Sequence, residues 1–179
     1  MKDAESQAGN FEELAMPLFD SLYNFACWLT HDRAEAEDLV QETFVKALKG
    51  FSSYQQGTNF RAWIYRILRN TFLTSRTGLK ATMTVPLEEE TQEMILPVTS
   101  ETPESILLDH ANQQAIQDAL DGLQVIFREV VLLCDVEEMS YQEIADTLGV
   151  PIGTVMSRLA RARRALRDAL ENKVQRARA

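Results

Sequence analysis

Apolar residues recur along most of this chain at helical spacing, and strand-like alternation is nearly absent, so the pattern predicts an all-α protein. A first helix is predicted from about Phe11 to Thr30, and a second from Asp32, a candidate N-cap, to about Lys49. The turn-rich stretch GFSSYQQGTN, Gly50 to Asn59, reads as a loop, followed by a third helix from about Phe60 to Arg76. Between residues 78 and 104 the periodicity stops: Pro86, Pro97 and Pro103 interrupt it, and EEETQE at Glu88 to Glu93 has no apolar phase. Helical spacing resumes near Pro103 and continues through ESILLDHANQQAIQDALDGL and VIFREVVLLCDVEEM. The expected architecture is two small helical domains joined by an acidic linker, with boundaries at 1–80, 81–104 and 105–179.

The C-terminal pattern is the most specific. Ser140 and Glu143 have capping-box spacing, and Tyr141, Ile144, Ala145 and Leu148 share one face. Gly149 is a stop signal and Pro151 suits the start of another helix, so the stretch predicts a helix-turn-helix. At 100° per residue, Val155, Leu159, Ala162, Leu166 and Ala169 of the second helix point inward. Thr154, Met156, Ser157, Ala160 and Arg161 are then placed to reach base edges in a major groove. Arg164 farther along, and Arg158 and Arg163 on the flanks, are placed for phosphates. An arginine-rich helix is often only a solvated face, but the capped helix and the Gly-Val-Pro turn before this one favour DNA.

FRAWIYRILRN, from Phe60, holds three arginines and three aromatic residues with no acid. Phe60, Ile64, Ile67 and Leu68 form its predicted inward face, with Trp63 and Asn70 at the boundary; Trp63 fits core packing and base stacking equally. Arg61, Tyr65 and Arg69 form an outward column with Arg66 nearby, which offers an aromatic face beside cations, as unstacked bases require. In the preceding helix Ala36, Leu39, Val40, Thr43, Phe44, Ala47 and Leu48 form the inward stripe, and Asp38, Gln41, Glu42 and Val45 the exposed face.

Charge sharpens this division. The chain carries −9 overall, but residues 1–80 are nearly balanced at −1, residues 81–139 carry −12, and residues 140–179 carry +4. Such a modular balance suits a protein that meets nucleic acid at chosen places and binds DNA weakly on its own. Attraction between the acidic middle and the basic tail would favour closure of the free protein. Cys27 and Cys134 lie in apolar helical patterns and read as two buried thiols of a cytosolic protein. With His31 and His110 they make no metal-ligand spacing, no apolar run reaches membrane-spanning length, and no nucleophile–base pair or phosphate loop is visible. Neither enzymatic chemistry nor a cofactor or metal is expected.

Three blocks in order, AEDLVQETFVKAL, FRAWIYRILRN and FREVVLLCDVEEMSYQEIADTLGVPIGTVMSRLARARRAL, resemble the characteristic regions of extracytoplasmic-function sigma factors, the small two-domain sigma factors of bacterial RNA polymerase. The resemblance implies a cytoplasmic, stress-responsive promoter-specificity factor. Its first domain would hold region 2 and its last region 4. The AEDLVQETF helix would dock the clamp helices of the polymerase's largest subunit through Asp38, Leu39, Gln41, Glu42 and Val45. Arg61, Trp63, Tyr65, Arg66, Arg69 and Asn70 would open the minus-ten element and hold a flipped base. Thr154, Met156, Ser157, Arg158, Ala160, Arg161 and Arg164 would read the minus-thirty-five duplex; many relatives carry Arg or Lys where this chain has Met156, which replaces a guanine donor by an apolar contact. The linker would thread toward the polymerase channels, as a nucleic-acid mimic or as a plain tether. The partners implied are core polymerase, promoter DNA and an anti-sigma factor, often a membrane protein. The alternative is a stand-alone helix-turn-helix regulator with an N-terminal sensing or dimerisation domain.

Overall fold

The computed structural model describes residues 2–55, 57–80 and 114–177, and within them the side chains of 9–55, 57–76 and 114–171. Among the described residues every regular element is helical: α1 (Lys2–Ala15), α2 (Phe19–Thr30), α3 (Arg33–Gly50), α4 (Phe60–Lys80), α5 (residues 114–121), α6 (Val125–Val131), α7 (Tyr141–Leu148) and α8 (Ile152–Ala177). The predicted linker, 81–104, lies outside the described residues.

The single helix predicted over Phe11 to Thr30 is two helices. A 3-10 turn, Met16–Leu18, separates them, with Pro17 in its first turn. Proline has no N–H to give to the helix ladder, and its ring crowds the preceding turn, which breaks the helix there. α2 ends where His31 adopts a left-handed conformation (φ 60°) and its N–H closes onto the Cys27 carbonyl at 2.9 Å. α3 starts as predicted, with Asp32 Oδ1 accepting from the Glu35 N–H at 2.8 Å. Its stripe buries Ala36, Leu39, Val40, Thr43 and Ala47, but Leu48, predicted inward, is 51% exposed.

The loop between α3 and α4 is more ordered than a turn-rich sequence suggests. Phe51–Ser53 form a 3-10 turn, the Tyr54 hydroxyl donates to the Thr58 carbonyl, and Thr58 Oγ1 donates to the Gln55 carbonyl at 2.7 Å. Phe51 and Tyr54 stack on each other and join Phe11, Phe60 and Trp63 in an aromatic cluster with ring-centroid separations of 5.2–6.4 Å. The core beneath it is built from Leu22 and Phe25 of α2, Val40 of α3, and Ile64, Tyr65 and Leu68 of α4, all fully buried. Each such side chain contributes about 1.5–3 kcal/mol through burial.

By compactness the chain divides into two units, Met1–Glu89 with Met139–Ile152, and Glu90–Glu138 with Gly153–Ala179. This partition differs from the sequence-based boundaries: α7 packs with α4 in the first unit. In the second unit Arg128, inside α6, is buried and closes the end of α5, donating from Nε to the Leu120 carbonyl at 2.9 Å and from Nη2 to the Asp121 and Leu123 carbonyls at 2.7 and 3.2 Å. These carbonyls are the acceptors a helix C-terminus leaves unmet, which explains a cation in an apolar setting. α6 then widens into a π turn, Leu132–Val136, where the Glu137 N–H reaches the Leu132 carbonyl at 2.9 Å.

Candidate nucleic-acid interface

The turn that leads into α8 forms for local reasons. The Glu143 carboxylate accepts from the Ser140 N–H at 2.8 Å, and Ser140 Oγ accepts from the Glu143 N–H at 3.3 Å, a complete capping box at the start of α7. Gly149 ends α7 at φ 66°, where a side chain would be strained, and its N–H donates to the Ala145 carbonyl at 2.8 Å. Hydrogen bonds to the charged form hold the Glu143 carboxyl below its usual range: the Ser140 backbone N–H first, then the Asn59 amide and the Ser140 hydroxyl.

On α8, Val155, Leu159 and Ala162 are buried, as the angular reading requires. Met156 stands 53% exposed, and Ser157, Ala160, Arg161 and Arg164 are exposed beside it, with Thr154 half-buried at the head of the row. Ser157 Oγ donates back to the Thr154 carbonyl at 3.0 Å. The row offers an apolar head, a hydroxyl, a small gap and two cations, the chemistry of a recognition helix.

Arg158 does not belong to that row. Its Nη1 lies 3.7 Å from Glu129, whose side chain is 1% exposed. A carboxylate that deep is favoured by a nearby cation, and Arg158 turns one end of its guanidinium toward it. Arg163 is likewise engaged: it pairs with Asp135 and donates to Cys134 Sγ at 3.6 Å. Arg161, Arg164 and Arg167 of this helix are exposed as well.

α4 departs further from expectation. Tyr65, predicted to face outward between arginines, is 0% exposed and packs on Phe25 with ring centroids 5.4 Å apart. It cannot stack on a base. Arg61 is half-buried with its guanidinium 5.8 Å from the Tyr65 ring centroid, so the cation–aromatic pair exists but is turned into the protein. Arg66 and Asn70 are exposed, and Arg69 is half-buried. Trp63, which the sequence left open between core and stacking, is half-buried on the aromatic cluster with part of its surface uncovered.

On α3, Asp38, Gln41, Glu42 and Val45 are exposed together, as expected. Leu39 is buried and is a core residue, not a surface contact. Glu42 pairs with Lys46 at 2.7 Å, and Lys46 also donates to Thr71 Oγ1 at 3.2 Å, so part of the acidic character is locally balanced.

One residue that sequence reasoning passed over is Asn59. Its Oδ1 accepts from the Ala62 N–H at 3.0 Å and its carbonyl from the Trp63 N–H, which makes it the N-cap of α4. An asparagine directly before an apolar-periodic run was the available signal. Burial pushes both the Cys27 and Cys134 thiols upward, the behaviour of inert cysteines. Among the described residues no cluster of His, Cys, Asp and Glu could hold a metal ion, and no helix is long and apolar enough to cross a membrane.

Comparison with known proteins adds the following. Residues 15–81 match the model for sigma-70 region 2, and residues 113–166 the model for sigma-70 region 4. The chain is 39% identical over 163 residues to the ECF RNA polymerase sigma factor SigE of Mycolicibacterium smegmatis, covering 90% of this chain and 62% of that protein. It is 32% identical over 155 residues to the RNA polymerase sigma factor YlaC of Bacillus subtilis, covering 86% of this chain and 88% of that one. Among solved structures it resembles the sigma factor RpoE of Bartonella quintana, crystallised with the anti-sigma factor NepR, at a TM-score of 0.74 and 30% identity, covering 90% of this chain and 97% of that one. The region 2 match disfavours a stand-alone regulator, which would need no such domain.

Proposed function

The chain belongs to the extracytoplasmic-function branch of the sigma-70 family of RNA polymerase sigma factors, and from that membership we propose that it binds core RNA polymerase and directs promoter recognition, strand opening and initiation. The first sequence domain, 1–80, acts at the minus-ten element and on the polymerase. The segment 81–104 is the connector, and 105–179 reads the minus-thirty-five element. On α3, Asp38, Gln41, Glu42 and Val45 form the docking face for a basic or apolar surface of the polymerase. On α4, Arg61, Trp63, Arg66, Arg69 and Asn70 take the parted strand, with Trp63 as the stacking surface and the arginines on phosphates. Tyr65 supports this face from beneath. On α8, Thr154, Met156, Ser157 and Ala160 meet base edges while Arg161 and Arg164 hold the backbone.

The observation that carries this reading is the row on α8: its interior stripe is buried and its outward positions stay exposed, with no carboxylate among them. Sigma factors are generally DNA-recognition subunits without chemistry of their own, and this chain is assigned no catalytic residue. It works in the cytoplasm, beside the polymerase. The RpoE relative was solved with an anti-sigma factor, and we assign this chain a protein inhibitor of the same kind. The test is transcription reconstituted with core polymerase and no other sigma factor. Promoter-specific transcripts with a unique start site are expected. Intact duplex binding without transcripts would overturn the proposal.

A further inference from the structure

The outward row of α8 falls into two columns at one-turn spacing. Met156, Ala160 and Arg164 make one, Ser157 and Arg161 the other, and all five are exposed. At the head of the row, positions 156, 157 and 160 therefore offer a thioether, a hydroxyl and a methyl group. Met156 stands 53% exposed, a long apolar side chain one turn before a short one. What this head can read follows from its donors and acceptors. Ser157 has one hydroxyl proton to give, and it goes to the Thr154 carbonyl at 3.0 Å, which leaves only acceptor lone pairs on its oxygen. Methionine has no donor, and the alanine side chain has neither donor nor acceptor. Guanine shows only acceptors in the major groove, N7 and O6, so a side chain that selects it must donate. Arg158, the cation within this stretch, is half-buried and turned toward Glu129 at 3.7 Å. The head does match a pyrimidine C5-methyl, the apolar feature that a base pair presents in the major groove, and an exocyclic amine. A thymine–adenine pair carries both.

We propose that Met156 is a specificity-determining residue: it packs on the C5-methyl of a thymine in the minus-thirty-five duplex while Ser157 accepts from a neighbouring amine, so that the element this chain reads has thymine, not guanine, beneath the head of α8. This deepens the assignment of duplex reading to α8 and rests on it. The same methyl stands on 5-methylcytosine, beside that base's own amine, so the two bases share the chemistry that Met156 recognises. Arg161 and Arg164, farther along, hold the backbone and are indifferent to the base under Met156. One methyl group taken out of water is worth about fourfold in affinity, which sets the size of the effect.

The test uses the full chain with core polymerase. Promoters are first selected from a duplex library randomised over both elements. Each thymine of the selected minus-thirty-five element is then replaced singly by uracil, which lacks only the methyl, and the whole pair by cytosine–guanine or 5-methylcytosine–guanine. At one thymine, uracil should lower holoenzyme affinity about fourfold, and 5-methylcytosine should exceed cytosine there by a similar factor. Met156→Ala should bind the thymine and uracil promoters equally. Met156→Arg should turn the preference at that pair to guanine, because arginine donates to N7 and O6. Met156 is exposed, so both variants should keep the parent's circular dichroism. A selected element without thymine, uracil tolerated at every thymine, or a uracil loss that persists in Met156→Ala would each overturn the assignment. A gain with 5-methylcytosine but no loss with uracil would move the methyl to the modified base and overturn it for thymine. If no element is enriched, the duplex-reading assignment of α8 falls and this inference with it. A defined element that is indifferent to the methyl removes only the role of Met156.

Discussion

α4 and α8 are both long, arginine-rich helices, and the angular reading worked on one and failed on the other. On α8 the buried positions, Val155, Leu159 and Ala162, lie along one narrow stripe, and the outward row was where it was expected. On α4 burial reaches Phe60, Ala62, Ile64, Tyr65, Leu68, Thr71 and Phe72, a much broader arc. The reason is packing on several sides at once: α2, α3 and α7 all contact α4. A helix surrounded in this way draws its aromatic residues inward whatever their phase, and an arginine beside a tyrosine is then as compatible with an interior pair as with a nucleic-acid face.

The largest effect that would sharpen this contrast is at Tyr65. Tyr65→Ala should destabilise the first unit by about 3–5 kcal/mol, because it empties a site packed against Phe25. Denaturant unfolding followed by circular dichroism measures it, and an effect below about 1 kcal/mol would return Tyr65 to the surface. Next in size is Glu129→Ala, which strands the Arg158 guanidinium in a half-buried site and should cost about 3 kcal/mol in the same assay. Arg158→Ala should lower stability for the matching reason. If instead it lowered only promoter affinity, Arg158 would rejoin the phosphate contacts.

Arg161→Ala and Arg164→Ala should leave stability within about 0.5 kcal/mol of the parent, as exposed substitutions do. Each should lower the slope of holoenzyme–promoter affinity against salt concentration by about one. An unchanged slope would remove that arginine from the backbone contacts. The smallest effect concerns Glu143. Its carboxyl titrates below the ordinary carboxylate range in the folded protein, so its contribution to stability is fully present above the unfolded value and is lost as pH falls through the folded one. Glu143→Gln should therefore flatten the acid limb of the stability profile slightly, and an unaltered acid limb would mean that the Asn59 and Ser140 bonds do not favour the ionised form.

Much of this was legible in the residues. The helical class, the Asp32 and Ser140 caps, the Gly149 stop and the outward row of α8 follow from short-range rules that need only neighbours in the chain. What was not legible depends on neighbours far away. Tyr65 is buried because Phe25 waits for it, and Arg158 turns inward toward the buried carboxylate of Glu129. Leu39 was placed on a docking face although its own periodicity already put it inside, and the periodicity was the better guide. Pro17 gave a local warning of the break between α1 and α2 that the longer apolar pattern concealed.

The division of labour between the two helices can be tested directly by transcription from two templates, one with a complete promoter and one cut downstream of the minus-thirty-five element. Holoenzymes carrying Arg161→Ala with Arg164→Ala, or Arg66→Ala with Asn70→Ala, would be compared on both. The α8 pair should be impaired on the complete promoter and equal to the parent on the shortened one, while the α4 pair stays impaired on both. A loss by the α8 pair that persists without upstream duplex, or parental activity of the α4 pair on either template, would contradict the assignment of duplex to one helix and parted strand to the other.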